Sequence, residues 1–197
     1  MAPGPNDATL EILMCDLDQE NASRLFYPQS GLSPSGRAIV TEQLQSIYRD
    51  ATIDEFMFEP CGYSCNGVTP NGYFTVHVTP EAHCSYASFE TNISPEMNAP
   101  SPKTFAAIIS SIVQLFQPGR FTVTLFTEKD LGPESSAVSL MDASNNALQT
   151  IGNAVRGFDR TDKIIYEFEN YDLMFYHYVR DHRSSPKQLA LCQPGER

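Results

Sequence analysis

The stretch EFMFEPCGYSCNGVTPNGYFTVHVTPE, residues 55–81, places Cys61, Ser64, Cys65, His77 and Glu81 within about one hairpin. A metal centre would draw on Cys61, Cys65, His77 and His83. Zinc modules follow a thiol pair with a second pair at fixed spacing. Here Gly-Tyr-Ser separates the thiols and the histidines follow no such spacing, so no metal is expected. A hydrolytic dyad would pair Ser64 with His77 beside a carboxylate, but the Gly-x-Ser-x-Gly elbow is absent. Taken alone, His77 is more often an ordinary strand histidine than a base. The generic motifs leave these readings open.

The surrounding elements set which of these groups can meet. DATLEILMCDLD (7–18) alternates, with Asp7, Thr9 and Glu11 on one face and Ala8, Leu10, Ile12 and Met14 on the other. That is the period of a half-buried strand. Residues 28–37 read as a loop, and TEQLQSIYRD (41–50) as a helix capped by Thr41. Strands are expected at about 54–64, 73–79 and 84–91, with Thr-Pro-Asn-Gly as the turn between the first two. SPKTFAAIISSIVQLFQPG reads as a helix capped by Ser101 and stopped by Pro118-Gly119, and RFTVTLFTE as a strand. Residues 130–160 read as a long loop or insertion, and 163–179 as aromatic-rich strand. The expected domain is 1–182, with a disordered tail at 183–197.

This order is not a βαβ alternation. It predicts an α+β fold, an antiparallel or mixed sheet with helices on one face. The opposite face would carry Phe56, Phe58, Tyr73, Thr75, His77, Thr79, Glu81, Tyr86, Ser88, Glu90, Thr122, Thr124 and Phe126. Antiparallel sheets often show such a face to water. This one has almost no Lys or Arg and many aromatics, so it reads as the wall of a polar interior.

The whole sequence narrows the partners. Its 197 residues suffice for one domain with a sizeable core, and its net charge of −11 disfavours nucleic acid and anionic membranes. Small cations suit it better. The five cysteines lack the density of a disulfide scaffold, and no apolar run approaches the ~20 residues of a membrane span. With no signal-peptide pattern at residues 1–13, a cytoplasmic protein is expected.

TLEILMCDLD, FEPCGYSCNG, HVTPE, SYASFETN and PGRFTVTLF stand in the order and spacing of the eukaryotic S-adenosylmethionine decarboxylases. The chain resembles the second half of that family from about Asp7 to Phe126, with a weaker echo in YEFENYDLMFYHY. The resemblance implies half of a four-layer α/β/β/α sandwich, and an enzyme that makes the aminopropyl donor for spermidine and spermine. Its cofactor is a covalent pyruvoyl group, formed by self-cleavage at a Glu-Ser bond. The resemblance gives Phe58 the role of stacking on the adenine of S-adenosylmethionine. It gives Glu81 the ribose hydroxyls, and Ser64 and His77 the self-processing. There Ser64 polarises the ester formed by an N-to-O acyl shift, and His77 removes the proton that eliminates it. Asp7, Thr9, Glu11, Glu90 and Phe126 match an acidic site for putrescine, an activator in the animal enzymes. Cys61 and Cys65 receive no role and read as small buried or half-buried residues.

The family's first half, with its processing triplet, is not matched. Glu134-Ser135-Ser136 repeats the triplet, but after the TVTLF strand, and reads as coincidence. The isolated chain is therefore expected to be inactive. Its expected partners are the missing N-terminal half or a full-length decarboxylase, or another copy in a homo-oligomer. The alternative is a catalytically dead paralogue that regulates a full-length enzyme or binds polyamines.

Overall fold

A computed structural model describes residues 7–23, 35–81, 83–95, 104–129 and 155–181. The elements in chain order are β1 (Ala8–Leu17), α1 (Gln19–Ser23), α2 (Ser35–Ile47), β2 (Thr52–Met57), β3 (Tyr63–Thr69), β4 (Gly72–Thr79), β5 (Tyr86–Thr91), α3 (Phe105–Phe116), β6 (Pro118–Glu128), β7 (Phe158–Glu167) and β8 (Tyr171–Arg180). The strands form one sheet in the order β2-β3-β4-β5-β1-β6-β8-β7. Among the described residues every strand pairing is antiparallel, so the sheet is antiparallel rather than mixed.

The alternation in β1 is realised as read. Leu10, Ile12 and Met14 are fully buried, while Thr9, Glu11 and Leu13 are partly exposed on the other face. The buried side meets α3, whose Ile108, Ile109, Ile112, Val113 and Phe116 join the same core as Leu44, Ile47 and Tyr48 from the α2 region. Each such side chain contributes about 1.5–3 kcal/mol through burial. Tyr48 stacks on Phe74 of β4 at 4.7 Å between ring centroids, and Phe121 of β6 on Tyr178 of β8 at the same distance. Gly67 of β3 stands opposite Phe74, and a Cβ there would lie 2.1 Å from the Phe74 ring.

Several boundaries differ from the sequence reading. Helix α2 starts at Ser35, so Thr41 lies inside it rather than capping it. The Thr41 hydroxyl instead donates to Glu55 of β2, which also accepts from the Tyr63 hydroxyl at 3.1 Å. The cap of α3 is Thr104, whose side chain accepts from the Ala107 N–H; the expected cap Ser101 lies outside the described residues. The expected strand 54–64 is two strands, separated by the turn at 58–62 that holds the cis Glu59–Pro60 bond. Thr-Pro-Asn-Gly still joins a hairpin, now β3 to β4, with Gly72 at φ +146°. The closing strand 163–179 is likewise a hairpin, β7 to β8, turning at 168–170. Of the expected loop 130–160, residues 130–154 lie outside the described residues and β7 begins at Phe158; the expected tail 183–197 also lies outside them.

Candidate functional site

The face opposite the helices carries the candidate residues. Register places Phe56, Ser64, His77, Ser88, Leu13, Thr122, His177 and Asp162 in one row across all eight strands. Within it Ser64 Oγ and His77 Nδ1 are 2.8 Å apart. The strand period puts Tyr63 and Cys65, on either side of Ser64, into the helix layer, where Tyr63 holds Glu55. Burial pushes the Cys65 thiol up to about 11, with the Glu55 charge adding to it against a hydrogen bond from Tyr63. Cys65 and His77 thus face opposite sides of the sheet and cannot share a metal ion.

Phe58 lies just past β2, half exposed, edge-on to Phe56 at 4.9 Å between ring centroids. Its N–H donates to Gly62 O at 2.9 Å, which closes the turn leading into β3. Glu81 follows the end of β4, beyond the Ser64–His77 row and towards the same end of the sheet as Phe58. The exposed Cys84 thiol donates to Glu81 at 3.6 Å, and this bond raises the thiol pKa.

A second group forms around β1. Glu11 is the direct cross-strand partner of Glu90 on β5 and of Thr124 on β6. Burial, then the Glu90 charge, holds the Glu11 carboxyl above its ordinary value. Thr9 stands opposite Phe126, whose ring stacks on Tyr171 at 4.7 Å with 6° between the planes. Asp7 sits at the exposed start of β1, its N–H on Glu128 Oε2 at 3.3 Å. The structure thus brings Glu11 to Glu90 and Thr9 to Phe126, and sets Asp7 at the strand end.

Four further residues on this face were not singled out as candidates from sequence. Tyr73 donates to Glu90 Oε1 at 2.6 Å, a bond that keeps the phenol protonated to higher pH. Tyr171 forms the aromatic wall with Phe126. Thr122 Oγ1 and His177 Nδ1 are 2.9 Å apart, a hydroxyl–imidazole pair in the same row as Ser64–His77. Alternation placed Tyr73 on this face, but only the register shows that its hydroxyl reaches Glu90.

The family model for adenosylmethionine decarboxylase matches residues 2–179. The chain belongs to this family. It is 35% identical over 179 residues to the S-adenosylmethionine decarboxylase proenzyme of Drosophila melanogaster, covering 90% of this chain and 47% of that protein. The Xenopus laevis proenzyme is 34% identical over 177 residues, covering 88% and 46%. The chain spans about half the length of the curated relatives it matches. A Trypanosoma brucei AdoMetDC-delta26 monomer superposes with a TM-score of 0.66 at 26% identity, covering 88% of this chain and 65% of that one. The sheet with helices on one face corresponds to two of the family's four layers.

Proposed function

We propose that this chain carries the C-terminal half of an S-adenosylmethionine decarboxylase site, which the family's N-terminal half completes. The observation that carries the reading is the 2.8 Å contact between Ser64 Oγ and His77 Nδ1 on the open face. When Nδ1 donates to Ser64, Nε2 carries the lone pair and can take a proton; in the other tautomer Ser64 is the donor. One pair can therefore polarise an oxygen and then remove a proton, which self-processing requires.

The other residues divide between two ligands. Phe58 offers a half-exposed ring for adenine, and Glu81 an acceptor for two ribose hydroxyls of S-adenosylmethionine. Glu11 and Glu90, with Asp7 and Thr9 at the same end of β1 and Phe126 alongside, suit a diamine dication such as putrescine, which relieves the repulsion between the carboxylates. A pyruvoyl group, formed in the N-terminal half, would supply the electron sink for decarboxylation. This chain's residues bind, orient and move protons around it.

A regulatory partner of a full-length decarboxylase is the second reading, favoured by the exposed rings on the open face. Co-expression separates the two. With the unprocessed N-terminal half of a relative, cleavage of that half at its Glu-Ser bond is read by intact mass. The reading expects cleavage with the native chain and none with His77→Ala. Equal cleavage with His77→Ala contradicts it.

A further inference from the structure

The helix-bearing side of the sheet carries a feature that the decarboxylase reading does not use. We propose that the corner where α3 ends and β7 and β8 meet binds a small organic anion, a carboxylate or phosphate ester with a flat apolar body. A cavity of about 560 Å3 opens there, within the range of small-molecule sites. Arg156, Arg180, Gln114 and Gln117 supply its polar groups, and Val113, Val155 and Phe158 its apolar wall. The described lining contains no carboxylate, although the chain has 24 Asp and Glu against 13 Lys and Arg.

Arg180 is held in place, and Arg156 stands exposed at the rim. Arg180 donates from Nε and Nη2 to Pro118 O at 3.1 and 2.8 Å, and its guanidinium lies 5.0 Å from the Phe158 ring centroid. A guanidinium has five N–H groups, so a fixed fork remains for an anion. The backbone turn that carries Arg156 is fastened by the Asp181 N–H, which donates to Gly157 O at 2.8 Å. Along the same pair of strands, Arg160 and Lys163 lie over the Tyr176 ring, at 5.6 and 5.9 Å from its centroid.

The C-terminus of α3 opposes an anion through its dipole. That opposition is reduced here. Val113 O already accepts from the Gln117 N–H at 2.8 Å, and Pro118 O is taken by Arg180. The Phe158 ring then favours a ligand with a planar apolar part over a bare ion.

Calorimetric titration of the full chain with phenyl phosphate tests the site, with inorganic phosphate as the second arm. The expected result is saturable binding of phenyl phosphate, weaker binding of inorganic phosphate, and a loss of about tenfold or more in Arg156→Gln. Arg156 is exposed, so the melting curve of that variant should be unchanged. Arg180→Lys keeps the charge but loses the fork, and is expected to bind more weakly as well. Absence of saturable binding, equal binding by Arg156→Gln, or equal affinity for the two ligands overturns the proposal. Ser64 and His77 lie on the opposite face, so such a failure leaves the decarboxylase reading untouched.

Discussion

At the scale of residues, the Glu11–Glu90 pair makes the sharpest demand on the protein. Folding half-buries Glu11 beside a second carboxylate, which raises its pKa above the ordinary 4.5. Between that value and the folded one, the native chain binds more protons than the unfolded chain. Stability therefore falls as pH rises through this window. Glu11→Gln removes the term. The variant should be more stable than the parent at neutral pH, and the difference should vanish at about pH 4, as read by urea unfolding at both values. An unchanged pH dependence would contradict the account. Ser64, His77, Phe58 and Glu81 were singled out because their segments stand in the family's order. Tyr73 and the Thr122–His177 pair were not, because each depends on which strand lies next to which. β1 pairs with β5 and β6, and β6 with β8, over separations that local alternation does not encode.

At the scale of elements, the β3–β4 hairpin carries both Ser64 and His77, so its register is the geometry of the site. Gly67 keeps that register by letting the Phe74 ring lie over the bare backbone. Gly67→Ala would push a methyl into the ring that stacks on Tyr48. The expected cost is about 1–3 kcal/mol from overpacking, measured by chemical denaturation. A loss below experimental error would show that the hairpin shifts freely. The alternation of β1, β4, β5 and β6 was readable because one face of each is buried. The start of α2 was not, since Ser35-Gly36 has the composition of a loop and helical packing overrides it. The break at 58–62 was also hidden, because the flanking residues continue the aromatic pattern of a single strand.

At the scale of the whole molecule, the open face has apolar margins around a polar centre. Phe56, Val68, Tyr166 and Phe168 are 62, 60, 54 and 50% exposed along its two margins, while Ser88, Glu11, Glu90 and Thr124 occupy the middle. Such margins seal against a covering layer and enclose the centre. The chain alone should therefore self-associate, and its sedimentation should return to one heterodimeric species when a complementary half is added. A cooperative, strictly monomeric melt would count against this. The most direct test of the central claim is release of carbon dioxide from S-adenosylmethionine, assayed with the chain alone and with the N-terminal half of a relative, alongside intact mass. Activity is expected only in the mixture and lost in Ser64→Ala, with this chain intact at 21.9 kDa. Activity from the chain alone, with cleavage between Glu134 and Ser135, would contradict it.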